Sequence, residues 1–446
     1  MGGRRAVRKL SNSPPESAVV QDMTPEGQGV VSVAGKRVFV DGALTGETVT
    51  FRRVRARRNY DEAQLLTVDE PSVDRVVPRC RYFGVCGGCS LQHLAPGAQV
   101  ALKQTVLAEN LHRIGQVIPE RWLPAVTGPA WGYRRRARLS VRYVAGKGRV
   151  LVGFSERGNP YVADMLSCEI LHPAVAGLIA PLSDLIGQMS LRQRIPQVEV
   201  AVADNATVLV FRVLDEPDPA DIALLRQFRD RHRLRILLQA SGPAGIRGLD
   251  PGVDDGELWY QLGQAHLTMR FGPTEFIQVN AHVNERMIEL AMALLEPTAS
   301  TRLLDLYCGI GNFTLPLCRH AGYALGVEGE VAVVVRARAN AASNGVINAE
   351  FVCANLGLAE SAAAWRGQQF DAVLLDPPRA GAAAMLKPIA ASGAARVLYV
   401  SCHPGTLARD AGVMVNELGY RLTATGILDM FPATSHVESV ALFERR

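Results

Sequence analysis

Cys402 stands in the run Leu398-Tyr399-Val400-Ser401-Cys402-His403-Pro404, and Glu438 in Ser435-His436-Val437-Glu438-Ser439. A thiol at the end of an apolar, β-prone run, with a proline placed to open a helix behind it, is one that a helix N-terminus acidifies. As a thiolate it is a nucleophile, and a carboxylate such as Glu438 is a base. A second group of residues surrounds a turn. Leu303-Leu304-Asp305-Leu306-Tyr307 leads into Cys308-Gly309-Ile310-Gly311-Asn312-Phe313. An acidic residue near the end of a strand, then Gly-x-Gly into a helix, lets a ligand approach the backbone closely. The turn lacks the third glycine of a pyrophosphate loop, so it suits an adenosyl ligand without phosphates better than a dinucleotide. A dinucleotide-binding domain stays the alternative. Glu328 ends the next strand-like run, 17 residues after Gly311. A carboxylate there accepts hydrogen bonds from both hydroxyls of a ribose. Asn355 follows the third run and Asp376 ends the fourth.

The segment Leu375-Asp376-Pro377-Pro378-Arg379 bears on the class of reaction. Amino-group methyltransferases carry a similar segment, but with an aromatic after the proline pair to stack on the base. Arg379 takes that place here, which disfavours N-methylation. A thiolate beside an adenosyl methyl donor suits a pyrimidine carbon instead. C5 of uracil is too weak a nucleophile to accept a methyl group directly; addition of a thiolate to C6 makes C5 electron-rich, and a base must later remove the C5 proton. A cysteine buried in the core is the competing reading of Cys402.

Cys80, Cys86 and Cys89 form a compact trio, C-x5-C-x2-C, with Gly84, Gly87 and Gly88 among them. Of the eight cysteines, Cys168 is the only other one before the residue-300 sheet, which makes it the natural fourth ligand of a site. Four thiolates fit a [4Fe–4S] cluster or structural zinc, although the spacing is not the paired C-x2-C of zinc ribbons. Unliganded buried thiols are the remaining alternative.

The elements that position these groups are legible in the patterning. From about residue 300 the chain alternates as βαβ, with strands expected at 302–307, 323–327, 350–353, 371–375, 396–401, 420–428 and 437–443, and helices at 330–342 and 405–418. This predicts an α/β, doubly wound sheet whose strand ends border a ligand crevice. Residues 17–70 carry short, glycine-punctuated strands and the crowd Arg52, Arg53, Arg55, Arg57 and Arg58, as a basic β-barrel would. A helix is expected over 95–115 and a half-buried strand at Arg136–Tyr143. Residues 1–60 hold 11 Lys and Arg against 5 Asp and Glu, a net +6, while the rest of the chain is at −1. A basic end on a near-neutral body points to a polyanionic partner. Residues 1–16 read as a disordered basic tail. No signal-peptide pattern and no apolar run of ~18 residues is present, so no membrane span is expected and a cytoplasmic location is.

On Cys80–Leu94, Phe276–Asn280, Asp305–Pro316, Leu375–Arg379, Ser401–Pro404 and Phe431–Glu438, the chain resembles the bacterial 23S rRNA uracil-C5-methyltransferases that carry an iron–sulfur cluster and an N-terminal TRAM barrel. The resemblance implies a Rossmann-like S-adenosylmethionine-dependent methyltransferase domain over 95–124 and 266–446. It also implies an OB-like TRAM barrel over 17–72 and a central α+β iron–sulfur and RNA-binding domain over 73–94 and 125–265. It implies that Gln278, Tyr307, Asn312, Glu328, Asn355 and Asp376 contact S-adenosylmethionine, that Cys402 is the nucleophile, and that Glu438 is the base. By the same resemblance Cys80, Cys86, Cys89 and Cys168 hold a [4Fe–4S] cluster, structural and RNA-facing, and 23S rRNA is the partner, with no obligate protein partner. Tyr133, Arg134, Arg135, Arg136, Arg138 and Arg142 are expected to grip phosphates or stack on splayed bases. Four rivals stand beside this. Relatives acting at another uracil of 23S rRNA resemble the chain in the cluster but lack the barrel. Uracil-C5-methyltransferases of tRNA resemble the catalytic part without the barrel and the cysteine trio. A non-catalytic assembly factor would not need Cys402 and Glu438. A radical enzyme of the adenosylmethionine class typically uses C-x3-C-x2-C.

Overall fold

The computed structural model describes residues 8–10, 13–242, 245–250 and 257–446. It divides into two compact units, Met1–Lys103 with Glu156–Asn159 and Phe431–His436, and Gln104–Ser155 with Pro160–Met430 and Val437–Arg446.

In the first unit, β-branched and aromatic residues alternate with polar ones, the pattern of a half-buried pleated surface. Strands β1 (Arg8–Lys9), β2 (Glu16–Val19), β3 (Asp22–Met23), β4 (Gln28–Val33), β5 (Lys36–Asp41), β6 (Thr48–Ala56) and β7 (Tyr60–Glu70) form one curled sheet in the order β1-β6-β7-β5-β4-β3, with β2 also on β6. Three register shifts between β6 and β7 bend these long strands. Val20, Val31, Val38, Val40, Val49 and Phe51 fill the concave side.

Part of the expected disordered tail is strand. Arg8 and Lys9 pair with Ala56 and Arg55, and Ser13 Oγ donates to Arg53 O at 2.7 Å. The edge of β6 offers unpaired backbone groups, and the incoming chain satisfies them. Residues 1–7, 11 and 12 lie outside the described residues. The arginine crowd is also less available than the sequence implies. Arg53 is bound to Glu16 and Asp61, while Arg55 and Arg57 both reach Glu62.

The cysteine knot follows as a chain of tight turns, with Phe83 N donating to Cys80 O and Cys86 N to Tyr82 O. Ser90 N and Leu91 N then donate to Ala433 O. Helix α1 (Pro96–Asn110) ends in a π-helical turn, Leu111–Gly115, so the expected helix at 95–115 forms with a change of pitch in its last turn.

In the second unit, β8 (Arg121–Trp122) precedes a six-stranded sheet made from β9 (Arg136–Val144), β10 (Arg149–Gly153), β11 (Gln197–Val202), β12 (Thr207–Arg212), β13 (Arg235–Gln239) and β14 (Ile246–Gly248). Helices α2 (Pro173–Ala176), α3 (Ile179–Gln188) and α4 (Pro219–His232) belong to this part of the chain. A hairpin of β15 (Leu258–Leu262) and β16 (Leu267–Phe271) leads to α5 (Ala281–Leu295).

The remaining chain builds an eight-stranded sheet. Its elements are β17 (Arg302–Leu306), α6 (Thr314–Leu317), β18 (Tyr323–Glu328), α7 (Val331–Ser343), β19 (Ala349–Cys353), β20 (Ala372–Leu375), α8 (Leu386–Ala391), β21 (Arg396–Ser401), α9 (Pro404–Asn416), β22 (Tyr420–Leu428) and β23 (Glu438–Arg445). The order is β19-β18-β17-β20-β21-β23-β22-β8, with β17 to β21 parallel and β23 antiparallel to both its neighbours. The parallel strands are continuous apolar runs, as strands covered on both faces must be. The chain grows outward from β17 to β18 and β19, then returns to place β20 on the other side of β17. That reversal is the topological switch point, where the carboxyl ends of strands open a crevice.

Candidate active site

Tyr307, Glu328, Asn355, Asp376 and Cys402 sit at or just past the ends of these strands, while Gln278 precedes α5 and Asn312 lies in the turn between β17 and α6. Tyr307 follows β17 with φ 63°, a left-handed conformation that costs a non-glycine residue about 1–3 kcal/mol. Its hydroxyl donates to Leu356 O at 3.2 Å. Gly309 and Gly311 then take φ 55° and 92°, which turns the loop tightly under the crevice. Glu328, at the end of β18, accepts Gly309 N through Oε2 at 3.1 Å and Gly329 N through Oε1 at 2.6 Å. Two backbone amides thus fix the carboxylate while leaving it further lone pairs for a ligand diol. Asn355, after β19, is exposed, and its Oδ1 accepts Gly357 N at 3.0 Å.

Leu306 pairs with Leu375, so Tyr307 and Asp376 emerge side by side at the switch point. Gln278 Nε2 donates to Asp376 Oδ2 at 3.3 Å. Burial pushes the Asp376 carboxyl up to about 7. Asp305, fully buried in β17, accepts from Thr314 Oγ1 at 2.5 Å, and burial, with repulsion from Asp376 and Glu328, raises it to about 7.

The register of the far edge decides the rest. Ser401 of β21 pairs with Ser439 of the antiparallel β23. One residue after Ser401 and one before Ser439, Cys402 and Glu438 therefore come opposite each other at the carboxyl end of the sheet. Glu438 is 6% exposed and Cys402 is half-buried. His403 caps α9, its Nδ1 accepting Thr406 N at 3.2 Å, and Pro404 occupies the first turn, as expected. The expected acidification of the thiol is overturned. Burial, with repulsion from Glu438 and Asp376, pushes Cys402 up to about 11, against the opposing pull of Arg379 and a backbone hydrogen bond. Burial is the largest cause, and the two acids add to it.

Three amide and phenol side chains in the same unit had no clear signal in the sequence. Asn284 of α5 and Asn312 form a reciprocal pair, Asn284 Nδ2 to Asn312 Oδ1 at 3.0 Å and Asn312 Nδ2 to Asn284 Oδ1 at 2.8 Å, and Tyr260 OH also donates to Asn312 Oδ1. Asn340, wholly buried in α7, donates to Ile310 O and Arg270 O and accepts Arg270 N. Asn284 and Asn340 each interrupt the apolar face of their helices, and a polar residue at such a position needs a partner. That was the available signal. The side chain of Asn312 is thus spent on holding the Gly309–Asn312 loop.

The basic strand departs from expectation. Tyr133 is buried and Arg134 Nε donates to Arg136 O. Arg135 pairs with Asp204, and both Arg136 and Arg138 reach Glu199. Arg138 and Arg142 alone of the six are exposed. Alternation turns Ala137, Leu139 and Val141 inward and leaves the arginines of β9 on the other face, where Glu199 partners Arg136 and Arg138.

The thiols of the trio offer the right donor chemistry, with Gly88 N donating to the Cys86 sulfur at 3.4 Å. Among the described residues, however, no three His, Cys, Asp or Glu side chains are gathered as metal ligands. Cys168 is buried in the second unit.

A sheet of this order, with an acidic residue after its second strand and a Gly-x-Gly turn after its first, is matched in known proteins. Residues 128–446 match the family model described as tRNA (Uracil-5-)-methyltransferase. The chain belongs to that uracil-5-methyltransferase family. Its similarity extends beyond the matched region. It is 47% identical to the 23S rRNA (uracil(1939)-C(5))-methyltransferase RlmD of Methylococcus capsulatus over 99% of this chain and 100% of that one. It is 50% identical to the protein of the same name from Thiobacillus denitrificans, over 94% and 97%. Among solved structures, the tRNA (uracil-54, C5)-methyltransferase of Pyrococcus abyssi, in complex with S-adenosyl-L-homocysteine, superposes with a TM-score of 0.73 at 22% identity, covering 96% of this chain and all of that one. This likeness shows the methyltransferase fold. No helix among the described residues of this family member is long and apolar enough to cross a membrane.

Proposed function

We propose that the chain transfers a methyl group from S-adenosylmethionine to C5 of one uracil in 23S rRNA, through a transient bond between Cys402 and C6. The observation that carries this reading is the β21–β23 register, which sets a thiol opposite a carboxylate at the switch-point crevice of a methyltransferase sheet. The choice of RNA rests on the near full-length relatives, whose names specify 23S rRNA.

S-adenosylmethionine supplies an electrophilic methyl on a sulfonium. Gln278, Tyr307, Glu328, Asn355 and Asp376 line its place, Glu328 toward the ribose diol, while Asn312 serves by holding the loop. The uracil leaves its stack to reach the crevice. The Cys402 thiol gives up its proton to water, the thiolate adds to C6, and the C5–C6 electron pair shifts toward C5 and O4. C5 then attacks the methyl carbon, the S–CH3 bond breaks with its electrons staying on sulfur, and S-adenosylhomocysteine is the leaving group. Glu438 then takes the C5 proton, the C5–H electrons re-form the C5–C6 double bond, and the thiolate departs.

The curled sheet of the first unit fits a TRAM-type barrel over 17–72, and Arg138 and Arg142 are the remaining candidates for backbone contact from the basic strand. We assign Cys80, Cys86, Cys89 and Cys168 to a [4Fe–4S] cluster on the resemblance alone, with no part in the reaction. Anaerobically purified protein is expected to contain four irons and four sulfides per chain, and Cys86→Ser to lose them; stoichiometric zinc instead would refute the assignment. The enzyme works in the cytoplasm, where ribosomal RNA matures.

The test offers protein and tritiated S-adenosylmethionine to 23S rRNA and to bulk tRNA, each lacking 5-methyluridine. Label is expected in 23S rRNA only, and label in tRNA would shift the assignment to the tRNA branch. Asn284→Ala is expected to raise KM for S-adenosylmethionine about tenfold, the worth of one or two hydrogen bonds to a buried amide, with kcat little changed. An unchanged KM would show that the Asn284–Asn312 pair does not support the cofactor loop.

A further inference from the structure

Helix α9 does more than carry Cys402 at its entrance. Its first two turns grip the segment after Asp376-Pro377-Pro378 at three successive points. Thr406 Oγ1 donates to Arg379 O at 3.2 Å, Arg409 donates to Ala380 O at 2.9 Å, and Ala382 N donates to Asp410 Oδ2 at 2.8 Å. Asp410 is wholly buried and also accepts from Tyr399 OH at 2.8 Å, which ties in the strand leading to Cys402. Arg409 Nε completes its shell at 2.8 Å. The segment approaches so closely that a Cβ on Gly381, at φ 80°, would lie 2.6 Å from both Asp410 Oδ2 and Arg409.

A buried carboxylate is costly unless it is hydrogen-bonded, and the three donors that compensate Asp410 come from three separate segments, which it thereby fixes together. What it fixes is the relation of two functional groups. Arg379 opens the gripped segment, and Cys402 precedes the helix that grips it. The charged groups whose fields act on Cys402 are Glu438, Asp376 and Arg379, and Arg379 is the cation among them. We propose that Asp410 is a positioning residue which, with Thr406 and Arg409, locks the Arg379 segment to α9, so that the guanidinium charge stays on the Cys402 sulfur while it attacks the base. The inference rests on Cys402 being the nucleophile.

The decisive readout is the ratio of alkylation rates at Cys402 by anionic iodoacetate and by neutral iodoacetamide, followed by peptide mass spectrometry on the full-length protein. The ratio reports the local charge, and general loosening of the fold does not change it in this way. Arg379→Met sets the scale, with an expected fall of about fivefold for removal of one nearby charge in a wet site. Asp410→Asn and Gly381→Ala are expected to fall most of the way to that value, and Tyr399→Phe part of the way. Each should also slow the formation of a covalent adduct with RNA carrying 5-fluorouridine. Gly381→Ala and Tyr399→Phe keep the test open if Asp410→Asn does not fold, as judged by thermal unfolding. Two outcomes overturn the proposal: an unchanged ratio in the folded variants while Arg379→Met lowers it, or an unchanged ratio in Arg379→Met itself. Failure of the wild-type protein to form the 5-fluorouridine adduct is a separate result, and it removes the underlying reading of Cys402.

Discussion

Cys402→Ala is expected to reduce methyl transfer by about a thousandfold or more, the scale seen when a covalent nucleophile is deleted, and to abolish the 5-fluorouridine adduct. Fold stability should change little, because the side chain is half-buried and at the mouth of the crevice. The wild-type enzyme carries a further signature. Its thiol sits at about 11, pushed there by burial, Glu438 and Asp376. At neutral pH the sulfur is therefore protonated in nearly every molecule, and the reactive fraction grows with pH, by about tenfold per unit for an isolated thiol. Asp376, at about 7, gains its own charge over the same range and opposes the thiolate, so the observed rise should be shallower than that. Single-turnover adduct formation measured from about pH 6 to 9 should climb throughout. A flat or falling profile, or methyl transfer by Cys402→Ala near the wild-type rate, removes the covalent mechanism.

Glu438→Gln should separate the two halves of the reaction. Attack by Cys402 and methyl transfer do not need the carboxylate, but release of the C5 proton does. One methyl group per protein should therefore be transferred, followed by a stall with the methylated RNA still bonded to the chain. The complex would persist on a denaturing gel with ordinary RNA, where the wild-type complex does not. Turnover is expected to fall about 10²- to 10⁴-fold, the usual reach of a general base. Multiple turnover at an undiminished rate would assign the proton to another group. Loss of both the adduct and the first methyl group would instead place Glu438 in substrate binding. The structure bears on this outcome, because Glu438 is paired in register with Leu428 on its other side and is thereby held between β21 and β22.

The sequence by itself determined the catalytic sheet to within a residue or two. The strand runs expected at 302–307, 396–401 and 420–428 match β17, β21 and β22, and the helix at 405–418 matches α9. Parallel strands covered on both faces must be apolar throughout, glycines must sit where the backbone turns with positive φ, and a proline must sit where a helix opens. These are local demands, and each leaves a mark in the chain. The residues proposed to carry the chemistry were singled out for the same reason, since strand ends in such a sheet border its crevice.

Only the tertiary structure decided which of those residues meet. Cys402 and Glu438 are 36 residues apart, and it is strand register, set by packing across the sheet, that brings them face to face. The sign of the shift at Cys402 was likewise hidden. The helix entrance is local and visible, but Glu438, Asp376 and the burial that oppose it arrive from three other segments. The arginines of β9 and β6 read as a binding surface until folding supplied Glu199, Glu16, Asp61 and Glu62 as partners. Asp410, an ordinary acid on a helix in the sequence, became the junction of three segments. Local conformation follows from a few neighbouring residues. Electrostatics and hydrogen-bond partnership depend on distances through space, and those are fixed only when the whole chain has packed.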